Sequence, residues 1–153
     1  MRTIALPGGG DLVLAYLLLD LNGTLSDHGR MIDGVAERLR RLAQELEVHL
    51  VTADTLGTAR RIGAELGVSV TRTGDGEEKA TLVRRLGADR TVAIGNGRND
   101  EAMLRVARLG VAVIGPEGAA ATALVAADIV CRSILDALDL LLDDRTLVST
   151  LRP

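Results

Sequence analysis

An aspartate closes the most apolar stretch near the start of this chain and is followed at once by turn-forming residues. Residues 14–19 read Leu-Ala-Tyr-Leu-Leu-Leu, then comes Asp20, and Asn22-Gly23-Thr24 follow after one leucine. A short apolar run that is followed directly by turn-forming residues is typical of a strand buried on both faces. Asp20 would then lie at the carboxyl end of a strand, where open α/β sheets bind their ligands. Taken alone, Asp20 could equally be a simple strand terminator.

Other polar groups occupy comparable positions further along the chain. Thr52 follows the apolar run 48–51, and the run 91–94 leads into Gly-Asn-Gly-Arg-Asn-Asp at 95–100. In a parallel sheet the carboxyl ends of the strands meet at one edge. These groups are therefore expected to converge with Asp20 there.

Lys79 is the only lysine in the chain, beside seventeen arginines. A surface cation in this sequence would be expected to be arginine, so a lysine indicates a need for a compact ammonium charge. The alternative is that lysine rather than arginine occupies this position by chance. Its position, after the glycine-containing loop 73–78, allows it to join the strand-end groups.

Strands and helices alternate along most of the chain. Alternation of this kind predicts parallel strands joined by crossover helices, hence an α/β fold with a three-layer, doubly wound, Rossmann-like parallel sheet. The predicted strands cover 12–20, 48–51, 68–71, 91–94, 111–114 and 129–131, and the predicted helices lie near 35–46, 55–66, 79–86, 102–109, 118–126 and 134–142.

The first dozen residues predict a short hairpin in front of the sheet. Thr3–Leu6 is strand-like, 7–10 reads Pro-Gly-Gly-Gly, and the chain returns from Leu12. Three glycines in a row would also suit a phosphate loop, but no Lys-Ser/Thr pair follows them. A tight turn is the better interpretation.

Composition narrows the class of protein. The chain has 153 residues, no Phe or Trp, a single Tyr and a net charge of −3, so neither a basic surface for nucleic acid nor an aromatic stacking platform is expected. The run 12–19 is too short to cross a membrane. Cys131 has no partner cysteine, which fits a reducing compartment. We expect a single domain over 1–153 that is soluble and cytoplasmic.

Together these motifs resemble those of the haloacid dehalogenase superfamily of phosphotransferases. Asp-x-x-Gly-Thr at Asp20–Thr24, the strand-terminal Thr52, Lys79 and the loop ending at Asp100 match its four motifs in order. Thr52-Ala53-Asp54 and the 95–100 loop look most like soluble relatives of P-type ATPase phosphorylation domains. Each motif is short and weak alone, whereas the four at these spacings cover most of the chain.

The resemblance implies phosphoryl transfer from a small phosphorylated substrate. Asp20 would attack phosphorus and form an aspartyl phosphate, a covalent intermediate that divides the reaction into two steps. The Thr52 hydroxyl and the Lys79 ammonium would stabilise the phosphoryl oxygens.

The resemblance also implies a Mg²⁺ site beside the nucleophile. The expected ligands are Asp20, the backbone carbonyl of Asn22, and the loop from Asn96 to Asp100. The ion would neutralise the repulsion between carboxylate and phosphate.

Two positions depart from the family pattern, and both replace aspartate with asparagine. Asn22 stands where the family's phosphatases carry an acid/base aspartate, whose loss typically slows such chemistry roughly 10²–10⁴-fold. Asn96 stands where a metal-binding aspartate is usual, so weaker metal binding is expected. We therefore expect slow hydrolysis of a phosphate ester, and the alternative is a non-catalytic module that binds a phospho-ligand or a metal.

Family members usually cover the site with an inserted cap domain, and this chain has no room for one. Only a short flap, one helix and one strand fit between Leu25 and Thr52, and one helix and one strand between Thr52 and Lys79. The site should be open, and a homo-oligomer could cover it.

Overall fold

A six-stranded parallel sheet forms the centre of the molecule in the computed structural model, which describes residues 1–8, 10–53 and 57–152. The strands are β1 (Arg2–Ala5), β2 (Asp11–Leu14), β3 (Tyr16–Asp20), β4 (Ser26–Asp27), β5 (Arg30–Met31), β6 (Glu47–Thr52), β7 (Ser69–Arg72), β8 (Thr91–Gly95), β9 (Leu109–Val113) and β10 (Ile129–Cys131). The order in the central sheet is β10-β9-β8-β3-β6-β7. The strand that ends in Asp20 therefore lies inside the sheet, between β8 and β6.

Helices cover both faces of the sheet. They are α1 (Val35–Leu42), α2 (Thr58–Leu66), α3 (Gly76–Leu86), α4 (Glu101–Val106), α5 (Ala121–Ala126), α6 (Ile134–Leu142) and α7 (Asp144–Leu151). One core cluster joins the sheet to α1, α2, α6 and α7, and a second joins it to α3, α4 and α5. The three-layer α/β fold predicted from the sequence is confirmed.

The alternation of side chains along β3 explains why this strand is apolar throughout. Leu17 and Leu19 belong to the first core cluster and Leu18 to the second, and all three are fully buried. A strand covered by helices on both faces has no solvent side, so it needs no polar alternation. The strand is thus a rigid support for the aspartate at its end.

Two small hairpins accompany the sheet. β1 and β2 pair antiparallel in front of it, as predicted, and β4 and β5 form a flap directly after the Asp20 loop. Gly9, in the predicted turn of the first hairpin, lies outside the described residues, as do residues 54–56 at the start of the predicted second helix.

Two predicted helices are shorter in the structure, since α1 ends at Leu42 rather than near 46 and α5 begins at Ala121 rather than 118. Three larger differences follow. The single strand predicted over 12–20 is divided at Ala15, whose N–H donates to the carbonyl of Arg90 and whose carbonyl accepts from the N–H of Glu47. The helix predicted over 102–109 ends at Val106, because Leu109 pairs with β8 as the first residue of β9. A seventh helix, α7, was not predicted.

No helix in the described ranges is long and apolar enough to span a bilayer.

Candidate active site

The carboxyl edge of the sheet brings the four motifs together. Asp20 ends β3 and Thr52 ends the neighbouring β6, while Asn96 follows β8 on the other side. Lys79 lies in the first turn of α3, whose N-terminus is capped by the Asp75 carboxylate accepting from the N–H of Glu78 at 2.9 Å. The convergence expected from a parallel sheet is present.

Asp20 is a buried carboxylate held by two donors. Its Oδ1 accepts from Lys79 Nζ at 2.7 Å, and its Oδ2 lies 3.2 Å from the hydroxyl of Thr24. Burial raises its pKa, the neighbouring Asp100 raises it further, and Lys79 and Thr24 lower it, which leaves the pKa at about 6. Asp20 is therefore mainly ionised at neutral pH, but held less strongly in that form than an exposed aspartate.

Lys79 lies between two carboxylates in the interior. Its Nζ donates to Asp20 Oδ1 and to Asp100 Oδ1, both at 2.7 Å, and the residue is 1% exposed. Burial lowers the pKa of the ammonium, but attraction to the two carboxylates is larger in sum, so the pKa is raised. Lys79 remains charged, and this group of three side chains has a net charge of −1.

Asp100 is fully buried and its oxygens are already engaged. Oδ1 accepts from Lys79, and Oδ2 accepts from the backbone N–H groups of Asn96 and Gly97 at 3.0 and 2.9 Å. Its side chain lies directly over Gly95, where a methyl group would come within 2.6 Å of Asp100 Oδ2. These contacts favour a role in positioning Lys79 and the loop, and direct metal binding by Asp100 stays a prediction.

The amide of Asn96 is oriented with its oxygen towards the hydroxyl of Thr24. Nδ2 donates to the carbonyl of Gly118 at 3.0 Å, and Oδ1 lies 3.1 Å from the Thr24 hydroxyl. A backbone carbonyl only accepts hydrogen bonds, so the NH₂ group must face Gly118. The single hydroxyl hydrogen of Thr24 can be donated to Asp20 or to Asn96, but not to both at once. Asp20 Oδ2 and Asn96 Oδ1 thus both lie next to the same hydroxyl group, that of Thr24.

Asn22 lies at the surface beside the predicted phosphate-binding hydroxyl. Its Nδ2 donates to Thr52 Oγ1 at 3.3 Å, while Thr52 itself is 1% exposed. The amide is thus placed between solvent and the buried groups. Because it has no titratable proton near neutral pH, it can donate a hydrogen bond here but cannot act as an acid or base.

Two further residues belong to the site, and neither was assigned a side-chain role from the sequence. One is Thr24, which links Asp20 and Asn96. The other is Glu117, in the turn after β9: a methyl group on Gly23 would lie 2.6 Å from its Oε2. The signal for Glu117 is that Gly-Pro-Glu-Gly at 115–118 follows an apolar run, as the other motifs do.

The donor set is rich in oxygen but carries little charge. Among residues 1–8, 10–53 and 57–152, no three His, Cys, Asp or Glu side chains are grouped closely enough to hold a metal ion. The available ligands are the Asp20 carboxylate, the Asn96 amide oxygen and backbone carbonyls. Such hard oxygen ligands suit Mg²⁺ rather than a thiophilic metal.

The family model for haloacid dehalogenase-like hydrolases matches residues 8–108. The uncharacterized protein MJ0073 of Methanocaldococcus jannaschii is 52% identical over 61 residues, which are 40% of this chain and 66% of that protein. The chain therefore spans just under two thirds of the length of this relative.

The fold is also found in solved structures of phosphatases. The 3-deoxy-D-manno-octulosonate 8-phosphate phosphatase of Moraxella catarrhalis, in complex with magnesium, phosphate and the sugar acid, is 20% identical, with a TM-score of 0.70 over 91% of this chain and 94% of that one. The cobalt-bound deoxy-D-mannose-octulosonate 8-phosphate phosphatase of Haemophilus influenzae is 18% identical, with a TM-score of 0.67 over 92% and 94%. At these identities the likeness concerns the fold.

Proposed function

The chain belongs to the haloacid dehalogenase-like hydrolase family, and from that premise we propose that it hydrolyses a phosphate ester with Asp20 as the nucleophile. The observation that carries the proposal is the buried Asp20–Lys79–Asp100 group at the end of the central strand, with both Lys79 contacts at 2.7 Å. A nucleophilic carboxylate needs to be fixed, ionised and partly desolvated, and Asp20 meets all three conditions.

The first step joins a carboxylate oxygen of Asp20 to phosphorus and breaks the bond between phosphorus and the ester oxygen. The departing oxygen takes a proton from solvent, and water then attacks phosphorus and releases Asp20 and phosphate. Lys79 stays protonated throughout, so it presents a fixed positive charge to Asp20 and to the phosphoryl group. The Thr52 hydroxyl supplies a second donor at the same edge.

A divalent cation fits the oxygens that meet at Thr24. Asp20 Oδ2 and Asn96 Oδ1 would hold it, with the backbone carbonyl of Asn22 as a third ligand. When bound, the ion would draw charge from the phosphoryl oxygens and reduce their repulsion of Asp20. Mg²⁺ is the ion we propose, in keeping with the magnesium and cobalt of the two phosphatases.

We expect slow turnover because of Asn22. No proton-transfer group occupies its position, so the leaving group and the attacking water depend on solvent. Loss of a general acid or base typically slows the step about 10²–10⁴-fold. A second candidate function, a non-catalytic module that binds a phospho-ligand, is favoured by the presence of an amide at both Asn22 and Asn96.

We further propose an open site on a single domain, acting on a small phosphate ester in the cytoplasm. The described residues between Leu25 and Thr52 form the flap, α1 and β6, and those from 57 to Lys79 form α2, β7 and the start of α3. No inserted domain is present in these ranges, so a second copy of the chain is the proposed cover.

Phosphorylation of Asp20 tests the function. The protein is incubated with Mg²⁺ and acetyl phosphate and analysed by intact mass and by peptide mapping of the acid-stable adduct. We expect a phosphoryl group on Asp20 that is absent from Asp20→Asn and retained by Asp139→Asn, an exposed control. Labelling that survives Asp20→Asn rules out the assignment. Binding of acetyl phosphate without any covalent adduct or phosphate release favours the non-catalytic module.

A further inference from the structure

The carboxylate of Glu117 lies against the loop that follows the nucleophile. A methyl group on Gly23 would be 2.6 Å from Glu117 Oε2 and 3.2 Å from Asn96 Nδ2, so both side chains border the same small volume. Gly23 has a φ of +74°, which with this crowding explains why glycine is needed there. Glu117 therefore lies beside the loop after Asp20 and near the amide nitrogen of Asn96, the residue whose oxygen is a candidate cation ligand.

The position of Glu117 is fixed by its backbone. The turn 115–118 is closed by two hydrogen bonds between Gly115 and Gly118, at 3.2 and 2.9 Å. Gly115 packs so closely on the Asp20 loop that a methyl group there would lie 2.0 Å from the carbonyl oxygen of Gly23. Asn96 is tied to the same segment, since its side chain donates to Gly118 and its carbonyl accepts from Ala120 at 2.8 Å.

The side chain of Glu117 has no competing partner. In the described part of the chain its carboxylate forms no hydrogen bond or ion pair, and the residue is exposed. Some acidic side chains away from the site, such as Glu77 and Glu101, pair with arginines instead. Glu117 is thus an unpaired negative charge on a hydrogen-bonded turn beside the Asp20 loop.

The other charged groups of the site supply little negative charge for a cation, so a further carboxylate would strengthen cation binding. Asp20 and Asp100 together carry −2, and Lys79 cancels one of these charges. The other oxygen ligands, Asn96 Oδ1 and backbone carbonyls, are neutral. A divalent cation would therefore meet a net charge of only −1 from these groups, with Asp20 as its one carboxylate ligand, whereas Mg²⁺ is usually bound by one or two carboxylates.

We propose that Glu117 is a positioning residue for the divalent cation, adding the negative charge that the neutral amide of Asn96 does not supply. The inference rests on the proposed function, because it assumes that a cation binds at Asp20 and Asn96. It adds a residue from a fourth strand end, after β9, to a site otherwise built from the ends of β3, β6 and β8 and from α3.

Cation affinity, measured without substrate, tests this inference. Mn²⁺ is titrated into the metal-free protein, the free ion is followed by electron paramagnetic resonance, and Mg²⁺ competition is measured in parallel. We expect Glu117→Gln to weaken Mn²⁺ binding about 10–100-fold, the range typical for removing a group that supports a metal site. Glu65→Gln, an exposed glutamate on α2, is the matched control and should leave the affinity unchanged.

A second substitution distinguishes the loss of the Glu117 charge from a structural effect of Glu117→Gln. Asn96→Asp in the Glu117→Gln background should return the affinity to near the wild-type value, because it restores one negative charge beside the ion. Equal Mn²⁺ affinity of wild type and Glu117→Gln overturns the inference, and so does a weakened Glu117→Gln that Asn96→Asp does not restore. If the wild-type protein binds no Mn²⁺, both this inference and the proposed metal site are wrong. If Mn²⁺ binds but Asp20 is not phosphorylated, only the proposed catalytic role of Asp20 is wrong.

Discussion

Replacing Asp20 with asparagine should stabilise the protein at neutral pH, even though it removes the proposed nucleophile. In the folded protein the pKa of Asp20 is about 6, against 3.8 for an ordinary aspartate. The shift is roughly 2 pH units, and each unit corresponds to about 1.4 kcal/mol, so ionised Asp20 reduces the free energy of unfolding by about 3 kcal/mol. Asparagine has a similar shape and no charge at any pH.

The sign of this effect sets its pH window. Between pH 4 and pH 6 folded Asp20 holds its proton more tightly than unfolded Asp20, so the folded state is favoured at the acidic end. That contribution is fully present below about pH 4 and is lost as the pH rises through 6. The difference in unfolding free energy between Asp20→Asn and wild type should therefore be near zero at pH 4 and reach about 3 kcal/mol at pH 7.5.

Urea unfolding of both proteins between pH 4 and pH 8, followed by circular dichroism in EDTA, measures this difference. Asp139→Asn is the control of opposite sign, because a hydrogen bond from Arg38 lowers the pKa of that exposed carboxylate. It should be neutral or destabilising by an almost constant amount from pH 8 to pH 4, because a group with a lowered pKa loses its contribution only below its ordinary value of 3.8. An Asp20→Asn variant that is equally or less stable than wild type across the whole range would refute the electrostatic account of the site.

Three further outcomes are expected. Lys79→Met should lower the free energy of unfolding by about 3–5 kcal/mol in urea, because it leaves two buried carboxylates without their cation, and the loss should be smaller in an Asp20→Asn background. Asn22→Asp should raise steady-state phosphate release from small esters, by up to about 10²–10⁴-fold, and unchanged release would show that proton transfer does not limit the reaction. Light scattering at micromolar concentration should detect an oligomer, and a strictly monomeric, fully active protein would exclude cover by a second copy.

The fold was predictable because its main signals are local. The apolar runs ending at Asp20 and Thr52 and the loop at 95–100 are each visible within a few residues, and parallel pairing places their ends at one edge. What was missed depends on contacts between distant segments. The strand predicted over 12–20 is divided at Ala15, whose backbone hydrogen bonds go to Arg90 and Glu47, residues far away in the sequence.

The parts of the site that no sequence pattern predicts also depend on contacts between distant segments. Glu117 approaches Gly23 although β9 and β3 are not neighbours, since β8 lies between them. Its place depends on how closely Gly115 can pack, and no short pattern encodes that distance. The double contact of Thr24 likewise depends on the orientation of Asn96, which is set by Gly118.

The burial of Lys79 has a consequence for chemical labelling. It carries the only ε-amine in the sequence, and in the folded protein that amine is 1% exposed and held by two carboxylates. Among side chains, an amine-acylating reagent therefore has a single target, which it can reach only when α3 separates from the sheet edge, and peptide mapping distinguishes it from the N-terminal amine. The rate of acylation would then report the opening of the site directly, without an introduced probe, and ligands that close the site would slow it.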